Sequence, residues 1–508
     1  MSRLAEPYAA PLMRRVSPMI LCVVLLTACA AGPAVRATDA EHSDATFDPT
    51  SDPFGWTKAD DTGRVEIGTF TVPMDYTDPS KGTFKLNIAR HLAMKPSERI
   101  GSVLVNPGGP GAGGTDFALY AEQNFGQDLL DHFDIVAWDP RGTGQTTPHI
   151  DCTDNYDHFF ATGDITPDTP EERQQLVDLA KEFASDCVDK NGAFYQYVGT
   201  NNSARDMDAI RAALGEPKIS YLGFSYGSEL GAVWATLFPS TVRAAVLDGA
   251  VDPTAGLEAR DLEQDKGFED SLTTFLDQCS ADTSCAFHNG GDAAGAFDRL
   301  MAAIDASPIP SAKGRPAVSL EVAIAGVGQA MYSDTDWPVL ANALAKAQQG
   351  DGSGLLGLYD AYYERQKNGS YDNFLEAFQV ITCMDSTERP TVEQDDATVP
   401  QFKAVAPRFY ESTVGSYFCT FFPPPSDPEI AITGKGAGPI VVLGTTGDPA
   451  TPLDGARKMA STLEDGHLVV VVGNHHTGYL VNDCATAAVD NYLVDPAGHL
   501  PAEGLRCQ

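Results

Sequence analysis

Basic residues are scarce in this chain. Among 508 residues, 34 Lys and Arg stand against 70 Asp and Glu, a formal net charge of −36. A surface this acidic repels phosphate backbones and anionic headgroups, which argues against nucleic acid as a partner. Metal-ligand spacing is missing as well: there is no C-x-x-C and no H-E-x-x-H, so no metal site is expected. No Gly-Lys-Ser/Thr follows the glycine-rich stretch near residue 108, which removes a phosphate-binding P-loop, and no cofactor is expected. No internal repeat is visible. Past residue 30 no stretch is long and apolar enough to cross a bilayer.

What the N-terminus does contain is an export pattern. Arg14 and Arg15 precede the short apolar run Met19–Leu26 and the small residues Thr27 and Ala28 before Cys29. Basic flank, short apolar core and small residues before a cut describe a signal peptide over residues 1–28. Leu26-Thr27-Ala28-Cys29 resembles a bacterial lipobox, in which Cys29 is acylated and becomes the new N-terminus. Two or more acyl chains hold a protein on a membrane where one does not. Residues 29–55, rich in Ala, Asp, Thr, Ser and Pro, then read as a flexible tether. The expected location is outside the cytoplasm, either lipid-anchored at the cell membrane or secreted. Of ten cysteines, Cys22 leaves with the signal and Cys29 carries lipid. The remaining eight form an even set, which in an exported chain suggests disulfides. Pairing sequence neighbours gives 152–187, 279–285, 383–419 and 484–507.

Three zones follow the tether. Strand-like runs alternate with helix-like ones up to about residue 250, which argues for a mostly parallel sheet with helices on both faces. Amphipathic helical stretches dominate residues 253–430. The β/α pattern returns after that. The expected fold is α/β, with a core over 56–252 and 431–508 and an inserted helical cap over 253–430.

The chemistry centres on Gly223-Phe224-Ser225-Tyr226-Gly227, a G-x-S-x-G between the apolar run Ile219–Leu222 and a helix-like stretch. This is the pattern of a nucleophile elbow, a turn so tight that small flanking residues are required and the serine hydroxyl is pushed over the sheet edge. Serine is a weak nucleophile without a base, and the base needs an orienting acid. In α/β-hydrolases the partners follow in the order Ser, Asp or Glu, His. Asp448 falls just past one late strand and His475 and His476 just past the next, where ligand sites of open α/β sheets collect. Asp248 and Asp252 are rival acids after an earlier strand, and His467 lies at the wrong end of its strand. Upstream, Asn106-Pro107-Gly108-Gly109-Pro110-Gly111 offers backbone N–H groups to a substrate oxygen; Gly109 and Tyr226 form the natural oxyanion pair.

Asn106–Gly111, Trp138-Asp139-Pro140-Arg141-Gly142-Thr143-Gly144, the elbow, Leu247-Asp248-Gly249 and Gly447-Asp448-Pro449-Ala450-Thr451-Pro452 stand in an order that resembles the exported bacterial tripeptidyl aminopeptidases, relatives of the prolyl aminopeptidases. The resemblance runs from about residue 55 to the C-terminus. It implies an α/β-hydrolase fold with a helical cap and release of short peptides from a free N-terminus. It implies Ser225 as nucleophile, Asp448 as acid and His476 as base; His475 stands where family members more often carry Gly or Gln. Peptide substrates with a free N-terminus also need carboxylates for the α-ammonium group, and Asp385 and Glu376 are the candidates, Asp385 preferred. An esterase or lipase on the same scaffold is the alternative, because both reactions pass through an acyl-enzyme.

Overall fold

The structure is a computed structural model that describes residues 52–508 apart from residue 162. The expected signal peptide, the lipobox with Cys29 and residues 29–51 of the tether lie outside the described residues. Ten strands build one sheet: β1 Thr57–Lys58, β2 Val65–Pro73, β3 Thr83–His91, β4 Gly101–Asn106, β5 Phe133–Trp138, β6 Ile219–Phe224, β7 Val242–Asp248, β8 Ile440–Thr445, β9 Gly466–Val471 and β10 Leu505–Cys507. Their order across the sheet is β1-β2-β3-β5-β4-β6-β7-β8-β9-β10. β1 to β3 and the β3–β5 pair are antiparallel; from β5 to β10 every pair is parallel.

The central strands are apolar on both faces because both are covered. β4, β5, β6 and β8 are buried at every position. Leu104, Val136, Tyr221, Leu247 and Val442 pack into one core cluster, and their neighbours Val105, Ala137, Leu222, Val246 and Leu443 into the other. This is the period-2 alternation of a doubly covered parallel sheet, where neither face shows a polar stripe. β1 and β10, at the two sheet edges, were not legible in sequence: two and three residues carry no period to read.

Between β7 and β8 the described residues contribute helices and no strand of the sheet. The longest is Leu257–Ala281; Ala293–Ala306, Leu320–Met331, Trp337–Ala347, Ser353–Tyr362 and Phe374–Asp385 follow. The segment after β5 joins them. Gly163 N–H donates to Glu321, Tyr359 Oη donates to the Phe160 carbonyl, and Arg173 pairs with Asp396. The helical layer therefore draws on residues 151–198 as well as on the long insertion. All four neighbour disulfides form: Cys152–Cys187, Cys279–Cys285, Cys383–Cys419 and Cys484–Cys507. No described helix is long and apolar enough to cross a membrane.

One buried ion pair ties the sheet to its flanking helix. Arg141, in the Asp-Pro-Arg-Gly-Thr-Gly loop after β5, and Asp206 on the helix Thr200–Ala213 are both 0% exposed. Arg141 donates to the two Asp206 oxygens at 2.7 and 2.6 Å, and to the carbonyls of Met74 and Tyr197 at 2.9 Å. Removing one partner of such a pair leaves a buried charge uncompensated. Arg141→Ala is expected to cost about 3–5 kcal/mol, read as a lowered urea midpoint.

Candidate active site

Ser225 sits between β6 and the helix Tyr226–Leu237, at φ 56° and ψ −127°. A non-glycine residue in this region costs roughly 1–3 kcal/mol and persists only where the surroundings over-determine it. Here they do. Ser225 N–H donates to the Asp248 carbonyl at 2.8 Å, and its own carbonyl accepts Ser228 N–H at 2.8 Å. A Cβ on Gly223 would lie 2.3 Å from the Gly227 carbonyl oxygen, and one on Gly227 would lie 2.8 Å from the Asn106 oxygen. Only glycine allows the turn to close at these two positions.

The glycine-rich loop backs directly onto the elbow. Gly108 has φ +101°, and a Cβ there would meet the Phe224 oxygen at 2.3 Å, Ser225 Cβ at 3.0 Å and Tyr226 N at 3.1 Å. Asn106 Oδ1 accepts Gly108 N–H at 2.9 Å and fixes the bend. Residues 109–114 carry the glycine spacing of a dinucleotide loop. The space beside Gly111 is filled instead: a Cβ there would lie 2.4 Å from the Phe374 carbonyl and 2.7 Å from Phe378 N. Gly109 and Tyr226 both line the cavity that opens over Ser225.

Asp448 and His476 are brought together from separate loops. His476 Nδ1 lies 2.9 Å from each Asp448 oxygen. The carboxylate also accepts the N–H groups of Ala450 at 3.0 Å, Thr451 at 2.9 Å and Thr477 at 3.2 Å, and the Thr451 hydroxyl at 3.0 Å. An acceptor-only carboxylate opposite Nδ1 puts the ring proton on Nδ1 and leaves the lone pair on Nε2. Nε2 is buried and makes no hydrogen bond. Tyr332 braces the ring, edge to face at 5.4 Å, and its carbonyl accepts His476 N–H at 2.8 Å. The imidazole thus has a basic nitrogen and a fixed orientation, the two properties a general base for a serine hydroxyl requires.

The rivals are occupied elsewhere. His475 Nδ1 donates to the Thr477 carbonyl at 2.6 Å. His467 pairs with Asp465 at 2.9 Å, at the opposite end of β9. Asp252 accepts the Thr254 N–H and hydroxyl at 2.7 Å, a local turn. Asp248 holds backbone N–H groups of the histidine loop rather than an imidazole.

The cavity encloses about 390 Å³ and is lined by Ser225, Gly109, Tyr226 and a set of acidic side chains. Asp385 is among them. Its oxygens accept Thr200 N–H at 2.6 Å and the Thr200 hydroxyl at 2.7 Å. Burial and the neighbouring Glu229 push its carboxyl up to about 7, against the pull of Thr200 and Arg260. Glu229, one turn past the elbow, pairs with Arg260 at 2.5 Å. Glu429 completes the group, held well above the ordinary carboxylate range by burial and by Glu229. Three carboxyl groups therefore share one guanidinium. Glu376 is not part of this cavity. Its carboxylate accepts the N–H groups of Cys152 and Thr153, and burial pushes it up to about 7. Helical periodicity explains the outcome. Phe378, Thr382 and Asp385 lie on the cavity face of Phe374–Asp385, and Glu376 projects elsewhere. Glu229, Arg260 and Glu429 were missed in the sequence, where each is a single charge in an acidic chain. The spacing of Glu229, four residues after Ser225 in the first turn of the helix that Ser225 caps, is the only signal that could have found it.

A strained serine on a strand-to-helix turn, a histidine–aspartate pair from later strands and a glycine loop beneath define an α/β-hydrolase of the serine class. The profile described as alpha/beta hydrolase fold matches residues 101–289, and that of TAP-like protein matches residues 406–507. Serine protease Hip1 of Mycobacterium tuberculosis is 35% identical over 464 residues, covering 88% of each chain. Carboxylesterase B of the same species is 36% identical over 468 residues, again 88% of each. Tripeptidyl aminopeptidase of Streptomyces lividans is 30% identical over 462 residues, 87% of this chain and 83% of that one. The chain belongs to the tripeptidyl aminopeptidase-like family of α/β-hydrolases and is a serine hydrolase of the peptidase type.

Proposed function

We propose that the protein is an extracytoplasmic serine exopeptidase that releases short peptides, tripeptides foremost, from free N-termini. Ser225 attacks the scissile carbonyl. His476 Nε2 takes the hydroxyl proton and later gives it to the leaving amine, and Asp448 holds the imidazole in the required tautomer and stabilises its charged form. The Gly109 and Tyr226 amides receive the developing oxyanion. Water then releases the peptide from Ser225 by the same proton path in reverse. The inserted helices, with residues 151–198, act as a cap over core residues 56–252 and 431–508. Four disulfides fit an oxidising compartment, and acylation at Cys29 would keep the enzyme on the membrane after export.

The observation that carries the exopeptidase reading is the group Glu229, Asp385 and Glu429 around Arg260 in the cavity of Ser225. With three carboxyl groups to one guanidinium, the site lacks a positive charge. A substrate α-ammonium supplies it, donating charge-assisted hydrogen bonds to the carboxylates and drawing them into their ionised forms. An ester without an amine gains nothing from the same group, which favours peptides over the esterase alternative. The S. lividans relative's name is the ground for tripeptides as the released unit.

The test is a panel of fluorogenic mono-, di- and tripeptide substrates, free and N-blocked. Free tripeptides are expected to be cleaved best; equal cleavage of blocked and free substrates rejects the exopeptidase reading. Asp385→Asn is expected to lower kcat/KM for free tripeptides by roughly 10–100-fold, mostly through KM, the range for losing a hydrogen bond to a charged group. Blocked substrates should be unaffected. The pH dependence has a sign: an empty site whose Asp385 carboxyl is pushed up to about 7 by burial binds an ammonium better as pH rises through that range. KM should fall there, then rise again once the α-amine deprotonates near ~8.

A further inference from the structure

Asp248 closes β7 at 0% exposure, and its main chain and side chain serve different parts of the site. Its carbonyl accepts Ser225 N–H at 2.8 Å, the bond that holds the elbow in its left-handed conformation. Its two carboxylate oxygens accept Gly478 N–H at 2.9 and 3.0 Å, and one of them accepts Tyr479 N–H at 2.8 Å. Those amides belong to the turn that carries His476. The turn is strained, with Thr477 at φ 63° and Leu480 at φ 59°, so it needs anchors from outside itself. Asp448 takes His476 Nδ1–H and Thr477 N–H, and Asp248 takes the next two amides along the chain. The neighbouring Gly249 leaves no slack: at φ +66°, a Cβ there would lie 3.2 Å from His476 Cε1 and 3.0 Å from Thr451 Oγ1.

We propose that Asp248 is a positioning residue for the hydrolase reaction, setting the placement of His476 over Ser225 by clamping the 476–479 turn to the strand end that also carries the elbow. This rests on the reading of Ser225, His476 and Asp448 as nucleophile, base and acid. Every bond the carboxylate makes is as an acceptor from an N–H, so the clamp needs the ionised form. Burial and the nearby Asp448 push the Asp248 carboxyl up; the two amides and His476 pull it down; the balance lies at about 6. Acid therefore releases the clamp just below neutral pH.

The test follows the rate of Ser225 labelling by a fluorophosphonate, which needs no peptide substrate. Asp248→Asn places an amide NH₂ where a backbone N–H points. It is expected to slow labelling about 10–100-fold and to shift the downfield proton resonance of His476 Nδ1–H, while the urea midpoint stays within the range of a folded protein. For a peptide substrate kcat should fall with KM unchanged. In the wild-type protein the labelling rate should fall below pH 6 more steeply than one proton allows, and in the variant with a one-proton slope. The wild-type profile decides the matter even where the variant does not fold. Wild-type labelling rates in Asp248→Asn, or a one-proton slope in the wild-type protein down to pH 4.5, overturn the assignment. Absence of wild-type labelling would instead reject the catalytic reading of Ser225, and this assignment with it.

Discussion

Ser225→Ala is expected to abolish fluorophosphonate labelling and to lower kcat for peptide hydrolysis by about 10⁶-fold, the scale seen when the nucleophile of a serine protease is removed. The loss should be chemical and not structural. Only the hydroxyl is deleted, and the main-chain bonds from Ser225 to Asp248 and Ser228 stay in place. Alanine meets the same strain at φ 56° as serine does, so the urea midpoint should change by less than the equivalent of about 1 kcal/mol. KM should be nearly unaltered, because the carboxylates proposed to receive the substrate amine do not depend on the hydroxyl. Turnover by the variant near the wild-type rate would reject both the peptidase and the esterase readings, since each needs an acyl-serine. Labelling that persists at another residue would point to a nucleophile other than Ser225.

Asp448→Asn is expected to lower kcat by about 10⁴-fold, the effect of reversing the imidazole tautomer in a serine triad. Asp448 is a pure acceptor, taking His476 Nδ1–H, three backbone N–H groups and the Thr451 hydroxyl. An asparagine offers one acceptor oxygen and one NH₂. With the oxygen kept by the Ala450 and Thr451 amides, the NH₂ faces Nδ1, which must then accept. The proton moves to Nε2, and His476 can no longer receive one from Ser225. The downfield Nδ1–H resonance should vanish together with the activity. A variant that keeps the resonance and loses the rate would mean that Asp448 acts through the loop geometry and not through the tautomer.

These two residues were legible in sequence for different reasons. Ser225 announces itself because a tight turn tolerates only small flanks, and Gly223 and Gly227 record that constraint locally. Chain order points to Asp448 and to the pair His475 and His476, each just past a late strand, and the family resemblance favours His476. The choice between His475 and His476 was not a local matter. It depends on which ring faces the loop after β8, and the structure turns His475 onto the Thr477 carbonyl and His476 onto Asp448. The same holds for the two acids proposed for the amine. Asp385 and Glu376 share one helix, but only Asp385 reaches the cavity. The helix Phe374–Asp385 itself carried no clear period in the sequence because ten of its twelve residues are buried, leaving no polar face to mark a repeat. Asp248, a rival acid by its place after a strand, has its carboxylate on backbone amides instead.

The sequence by itself determined what local sterics and periodicity can encode: the strands that are apolar throughout, the elbow, the glycine loop, and the order in which Ser225, Asp448 and the histidine pair follow along the chain; which cysteines pair was decided by the fold. Tertiary structure alone decided how far-separated charges meet. Glu229, Arg260, Asp385 and Glu429 span some 200 positions of the chain and become one group only when the helical layer folds back over the end of β6. In water each would be an ordinary solvated charge. Inside the cavity, burial raises the cost of every negative charge without a partner, and that cost is the physical basis for the proposed binding of a cation there.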